Sequence, residues 1–219
     1  GLFIGYPHLT ALDQGVMTLV QEHRGPTLDE IAVTFTLIGE FRNMLLFSAL
    51  LTGLLLLCRQ WRQALFAGGT LLCTALANTA TKNFFARVRP EVLTDPLTSY
   101  SMPSGHASGA FALFLTLGVL AGRGQPPRMR LTWLLLACLP ALSIALSRVY
   151  LGAHWPTDVL AGAMLAACVC AASLWLNQRQ TPLNAMPFKV WWLILPALLA
   201  LFSFFALRHL PPAMLRYAY

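Results

Sequence analysis

Lys82, followed after six residues by Arg89-Pro90, opens a set of three short strings whose residue types suit phosphoryl transfer. The second string is Pro103-Ser104-Gly105-His106, and the third runs from Ser147-Arg148 through His154 to Asp158. Together they supply three cations, two imidazoles, one carboxylate and a turn rich in backbone donors. Arg148 and Arg89 present planar forks that match two phosphate oxygens, and Lys82 a point charge. His154 and Asp158 stand four residues apart, which on a helix puts both on one face, so the carboxylate can orient the imidazole and stabilise its positive form. With three cations alongside, that pair reads as an activated nucleophile or base.

Each string also has an ordinary structural reading. A cation at the end of an apolar span serves as an interface anchor. Pro103 and Ser104 make a normal helix start, although free amides there, with Gly105 allowing close approach, also bind anions. Two His and a carboxylate can ligate zinc or iron, but the three cations would repel a divalent ion, so neither a metal nor a cofactor is expected. His8, His23 and His209 lack such company and read as surface residues.

All three strings sit at the ends of apolar stretches. Of 219 residues, 57% are hydrophobic and 11% charged, with mean hydropathy +0.63, which marks an integral membrane protein. Charge-free runs occupy Asn43 to Cys58, Gln63 to Thr81, Ala107 to Gly122, Leu131 to Ser147, Val159 to Gln178 and Val190 to Leu207. At 1.5 Å per residue, runs of about 16 to 20 residues approach the thickness of a bilayer core. Leu9 to Phe41 is interrupted by charges while its apolar residues recur at helical spacing, and reads as one or two amphipathic helices at the interface. Pro26 divides that segment, and Thr27 with Glu30 resembles a capping box for a helix starting near Leu28. The expected fold is therefore all-α: a polytopic membrane helical bundle of about six transmembrane helices preceded by interfacial helices.

The five cysteines fall in or beside apolar runs without metal-ligand spacing, and read as buried free thiols. Alternating the spans gathers Arg59, Arg62, Arg123, Arg128, Arg130, Arg179 and Lys189 on one face, cytoplasmic by the positive-inside rule. All 8 acidic residues and the three strings fall on the other face. The net charge of +7 is thus topogenic and catalytic, and nucleic acid is not an expected partner.

Lys82, Arg89, Pro90, Pro103, Ser104, Gly105, His106, Ser147, Arg148, His154 and Asp158, in this order and spacing, match every position of the signature of the type 2 phosphatidic acid phosphatase (PAP2) superfamily. The chain resembles the membrane lipid phosphatase branch rather than the soluble haloperoxidases. That resemblance implies His154 as the nucleophile forming a phosphohistidine, Asp158 as its orienting carboxylate and His106 as the acid for the leaving oxygen. It assigns Lys82, Arg89, Arg148, Ser104 and the Gly105 amide to the phosphoryl oxygens, and Pro90, Pro103 and Ser147 to shaping the backbone. The implied substrate is a membrane lipid phosphate such as phosphatidate, phosphatidylglycerol phosphate or undecaprenyl diphosphate. The alternatives are a phosphotransferase with a lipid acceptor, or an anion-binding or transport protein without chemistry. The expected divisions are residues 1–42 (interfacial helices, with the tail of a truncated span at 1–6), 43–178 (phosphatase core) and 179–219 (cytoplasmic loop and an additional helix). The short start and additional helix resemble a phosphatase within a longer membrane protein, such as one fused to a DedA-type domain.

Overall fold

The structure, a computed structural model, describes residues 7–92 and 99–216. Among these residues there are α1 (Pro7–Glu22), α2 (Pro26–Ile38), α3 (Phe41–Leu57), α4 (Trp61–Phe85), α5 (Gly105–Gly122), α6 (Pro127–Tyr150), α7 (Pro156–Asn177) and α8 (Phe188–Arg216), and no strand. Five helices are long and apolar enough to cross a membrane: α4, α5, α6, α7 and the Phe188–Arg208 part of α8. α3 has 17 residues and passes the same test together with α2, from which it bends by 53°, so the bundle has up to six spans. The segment 1–6, expected to be the tail of an earlier span, lies outside the described residues.

Helix ends follow local chemistry. Pro26, Pro127 and Pro156 stand in the first turns of α2, α6 and α7, where a missing N–H costs nothing. The capping box expected from Thr27 and Glu30 does not form: Gly25 is the N-cap of α2 without a side-chain cap. Pro26 starts the helix earlier than the sequence pattern suggests, and this leaves Thr27 inside the first turn, where its side chain cannot cap. α4 ends at Ala86, a left-handed cap with φ 48°, which turns the chain away from the helix axis just before Arg87 and Arg89.

α5 lies at the centre, packed on α3, α4, α6 and α7. Its contacts use small residues: Ala107, Ala110 and Ala112 are buried, as are Ala141 and Ala145 of α6 and Ala166 of α7. Small side chains let helix backbones approach where lipid offers no hydrophobic drive for association. Gly162 is a tight case, since a methyl group there would lie 2.6 Å from the Ser104 carbonyl oxygen. Leucines such as Leu72, Leu76, Leu139 and Leu160 face outward, as the lipid side of a bundle requires. Cys73 and Cys168 share this exposed surface, so only Cys170 meets the expectation of a buried thiol, with Cys58 and Cys138 half-buried; all five are free. α8 packs on α2 and α3.

The cationic loops meet at one end. Arg62 donates to the carbonyls of Asn177 (2.6 Å), Thr181 (2.7 Å) and Pro182 (2.9 Å), and Arg123 donates to the Gln178 side chain at 2.7 Å. Lys82 lies 20 residues along α4 from Arg62, about 30 Å away at 1.5 Å per residue, at the end where the three strings converge.

Candidate active site

Three helix ends deliver the signature residues. The C-terminal end of α4 brings Lys82, and the segment beyond it Arg89; the N-terminus of α5 brings Gly105 and His106; the C-terminus of α6 and the turn into α7 bring Arg148, His154 and Asp158. Ser104 N–H donates to the Asp158 carbonyl at 2.9 Å, tying the second string to the third.

His154 has two distinct sides. Arg89 Nη1 lies 2.9 Å from His154 Nε2, and since a guanidinium can only donate, Nε2 carries the lone pair and Nδ1 the hydrogen in the neutral ring. Nδ1 lies 3.4 Å from Ser101 Oγ and 3.6 Å from Asp158 Oδ2. Ser101 Oγ–H donates to the same Asp158 oxygen, so a hydroxyl stands beside the imidazole and the carboxylate and touches both. Trp155 N–H also donates to Asp158 Oδ2, at 3.0 Å, so the carboxylate at the third position of α7 reaches back to the N-cap amide. Burial pushes the His154 imidazole well below its ordinary pKa, and Arg89, Arg148 and Lys82 push in the same direction. The ring is therefore neutral near pH 7, the form a nucleophile needs.

The cations are held from behind. Arg89 Nε donates to the Ser99 carbonyl at 2.7 Å and Nη1 to the Ala153 carbonyl at 2.6 Å. Lys82 Nζ donates to the Tyr100 carbonyl at 2.8 Å. Arg148, only 2% exposed, donates through Nη1 to Thr36 Oγ1 of α2 at 2.6 Å. These three, with Gly105, His106 and His154, line a cavity of about 870 Å³ that continues between α3 and α4 past Met44, Leu45, Leu71 and Leu72. The cavity thus joins a cationic head to an apolar groove. His106 Nε2 is buried and meets no hydrogen-bond partner among the described residues.

Not every signature residue faces the cavity. Ser104 is the N-cap of α5, its Oγ accepting from Ala107 N–H at 3.4 Å, and it is not among the cavity-lining residues. Pro90, Pro103 and Ser147 are buried, and Ser147 Oγ–H donates to the Ile144 carbonyl at 2.7 Å. His8 and His23 lie on the surface. Among the described residues no group of three or more His, Cys, Asp or Glu side chains is arranged to hold a metal ion.

Sequence reasoning missed Ser101, Thr36, Arg87 and Asp13. Arg87 is 7% exposed and donates to Asp158 Oδ1 at 2.7 Å and to Asp13 Oδ2 of α1 at 2.6 Å. One signal was available for Arg87: it is a third cation in the eight residues from Lys82 to Arg89.

A family profile described as the PAP2 superfamily matches residues 63–182, more than half of the chain. The chain belongs to the PAP2 superfamily. Its PAP2 relatives include an undecaprenyl-diphosphatase of Sulfolobus acidocaldarius, 39% identical over 95 residues, which are 41% of this chain and 40% of that protein. A decaprenylphosphoryl-5-phosphoribose phosphatase of Mycobacterium tuberculosis is 35% identical over 127 residues, 55% of this chain and 65% of that one. These alignments span less than two thirds of either relative. The fold matches that of the transmembrane PAP2 type phosphatidylglycerolphosphate phosphatase from Bacillus subtilis with a TM-score of 0.71 and 23% identity, over 81% of this chain and 90% of that one.

Proposed function

We propose that this PAP2 protein is a lipid phosphate phosphatase that hydrolyses a phosphate monoester or diphosphate of a membrane lipid through a phosphohistidine. One observation carries the reading: His154 Nε2, accepting from Arg89 Nη1 at 2.9 Å, lies at a cavity lined by Lys82, Arg89 and Arg148 and continuous with an apolar groove. A phosphoryl group among the cations takes over the Arg89 Nη1 bond and frees the His154 lone pair for attack, while an acyl or prenyl chain lies along α3 and α4. The relatives' names, which cover a diphosphate and a phosphate of polyprenyl lipids, support the same class.

In this mechanism His154 Nε2 attacks phosphorus and the bond to the lipid oxygen breaks. Charge gathering on the equatorial oxygens is met by Lys82, Arg89, Arg148 and the Gly105 amide, with Ser104 holding the turn. His106 gives the leaving oxygen its proton and then takes one from the water that cleaves the phosphohistidine. The charge asymmetry of the loops supports an active site on the outer or periplasmic face of a bacterial inner membrane. The residue divisions 1–42, 43–178 and 179–219 remain part of this reading.

The test is a panel of purified lipid phosphates and diphosphates, with inorganic phosphate and every lipid product quantified. Stoichiometric inorganic phosphate supports hydrolysis. Phosphate appearing only on a second lipid would make the protein a phosphotransferase, and no turnover on any member would leave an anion-binding protein.

A further inference from the structure

α1 lies on the outside of the bundle with Leu9, Leu12 and Leu19 exposed, yet its Asp13 is completely buried. The carboxylate caps α7 from outside, accepting from Thr157 N–H at 3.0 Å and from Thr157 Oγ1–H at 2.6 Å. It also accepts from Arg87 Nη2 at 2.6 Å, while Nη1 of the same guanidinium grips Asp158 Oδ1 at 2.7 Å and reaches Thr157 Oγ1 at 2.7 Å. The Arg87 guanidinium also lies 5.5 Å from the Trp155 ring centroid.

The charges matter more than the hydrogen bonds. A lone Arg87 against Asp158 would form a neutral buried pair, leaving little negative field for a positive His154 ring. A second carboxylate on the same guanidinium restores one net negative charge to the cluster. We infer that Asp13 and Arg87 are positioning residues: Arg87 aims Asp158 toward Ser101 and His154, and Asp13 offsets the Arg87 charge so that Asp158 still stabilises the phosphohistidine cation. The inference rests on the proposed His154 chemistry and reaches beyond the family signature, since Asp13 stands in a helix outside it.

The cluster's net charge is zero in Asp13→Asn and returns to one negative in Asp13→Asn with Arg87→Gln, so the two variants should differ in a definite direction. In detergent-purified protein, Asp13→Asn is expected to lose about 10- to 100-fold in kcat, by analogy with the loss of groups that orient a metal-bound histidine, with no rise in KM. The double variant is expected to recover at least fivefold over Asp13→Asn. A purely structural bridge predicts the reverse: losses that add or worsen in the double variant, with KM rising, which would overturn the inference. Calorimetric binding of inorganic phosphate needs no lipid, and Asp13→Asn should bind it no more weakly than the parent. Weakened phosphate binding would overturn the charge account, whereas a parent that binds phosphate but turns over no lipid phosphate would sink only the proposed function. Should Asp13→Asn fail to fold, Asp13→Glu replaces it: kcat within about tenfold of the parent supports the charge role, and loss as complete as in His154→Ala contradicts it.

Discussion

Gly39 lies directly against His106: a methyl group at Gly39 would sit 2.8 Å from His106 Cδ2 and 2.6 Å from Ile144 Cγ2. The bend between α2 and α3 therefore closes over the proposed general acid at a residue without a side chain. Either the bend opens or the imidazole shifts when a side chain is added.

Gly39→Ala is accordingly expected to lower kcat on a lipid monophosphate by about 10²-fold, the scale of a misplacement of about 1 Å at a catalytic group. Steady-state kinetics on the folded variant check it. Unchanged kcat would mean that the ring does not depend on this contact.

Loss of His106 should hurt in proportion to the leaving group's need for a proton. His106→Ala is expected to lose about 10²–10⁴-fold on an alkyl monophosphate and clearly less on an aryl phosphate, if bond cleavage limits the rate. Parallel kcat/KM measurements on the two esters decide it. Equal losses would assign His106 to binding phosphate rather than to proton transfer.

The phosphoryl end of the cavity is lined by Lys82, Arg89 and Arg148, where many phosphotransfer enzymes place magnesium. Hydrolysis of a soluble short-chain lipid phosphate is expected to survive EDTA, and vanadate to inhibit as a trigonal-bipyramidal mimic. Activity that disappears with chelator and returns with magnesium would contradict this assignment.

The positive-inside rule predicts the orientation from the charges of the loops. In a cysteine-free background, a cysteine at Gln125 should be labelled only from the cytoplasm and one at Glu91 only from outside, both residues being exposed. The reverse pattern would place the site in the cytoplasm.

The spans and the signature cluster were legible because their signals are local: hydropathy over a helix length, and charged residues at apolar ends. Asp13 was not, since in sequence it is one more polar residue of an amphipathic helix, and only tertiary contact brings it to Thr157 and Arg87. Thr36 likewise reads as a helical threonine until α2 meets Arg148. Ser101 stands two residues before the second string, but its place beside His154 depends on how the turn folds back on α7. The early start of α2 was missed because Thr27 and Glu30 mimic a cap that Pro26 pre-empts.

The central claim is that His154 Nε2 becomes covalently bonded to phosphorus. Purified protein mixed for milliseconds with a phosphorus-labelled aryl phosphate, and quenched in alkaline detergent, should carry phosphate that is stable to base, labile to acid and mapped by mass spectrometry to His154. His154→Ala should carry none and should turn over no substrate. Steady turnover with no trapped phosphoenzyme, or label on any residue other than His154, would contradict the account.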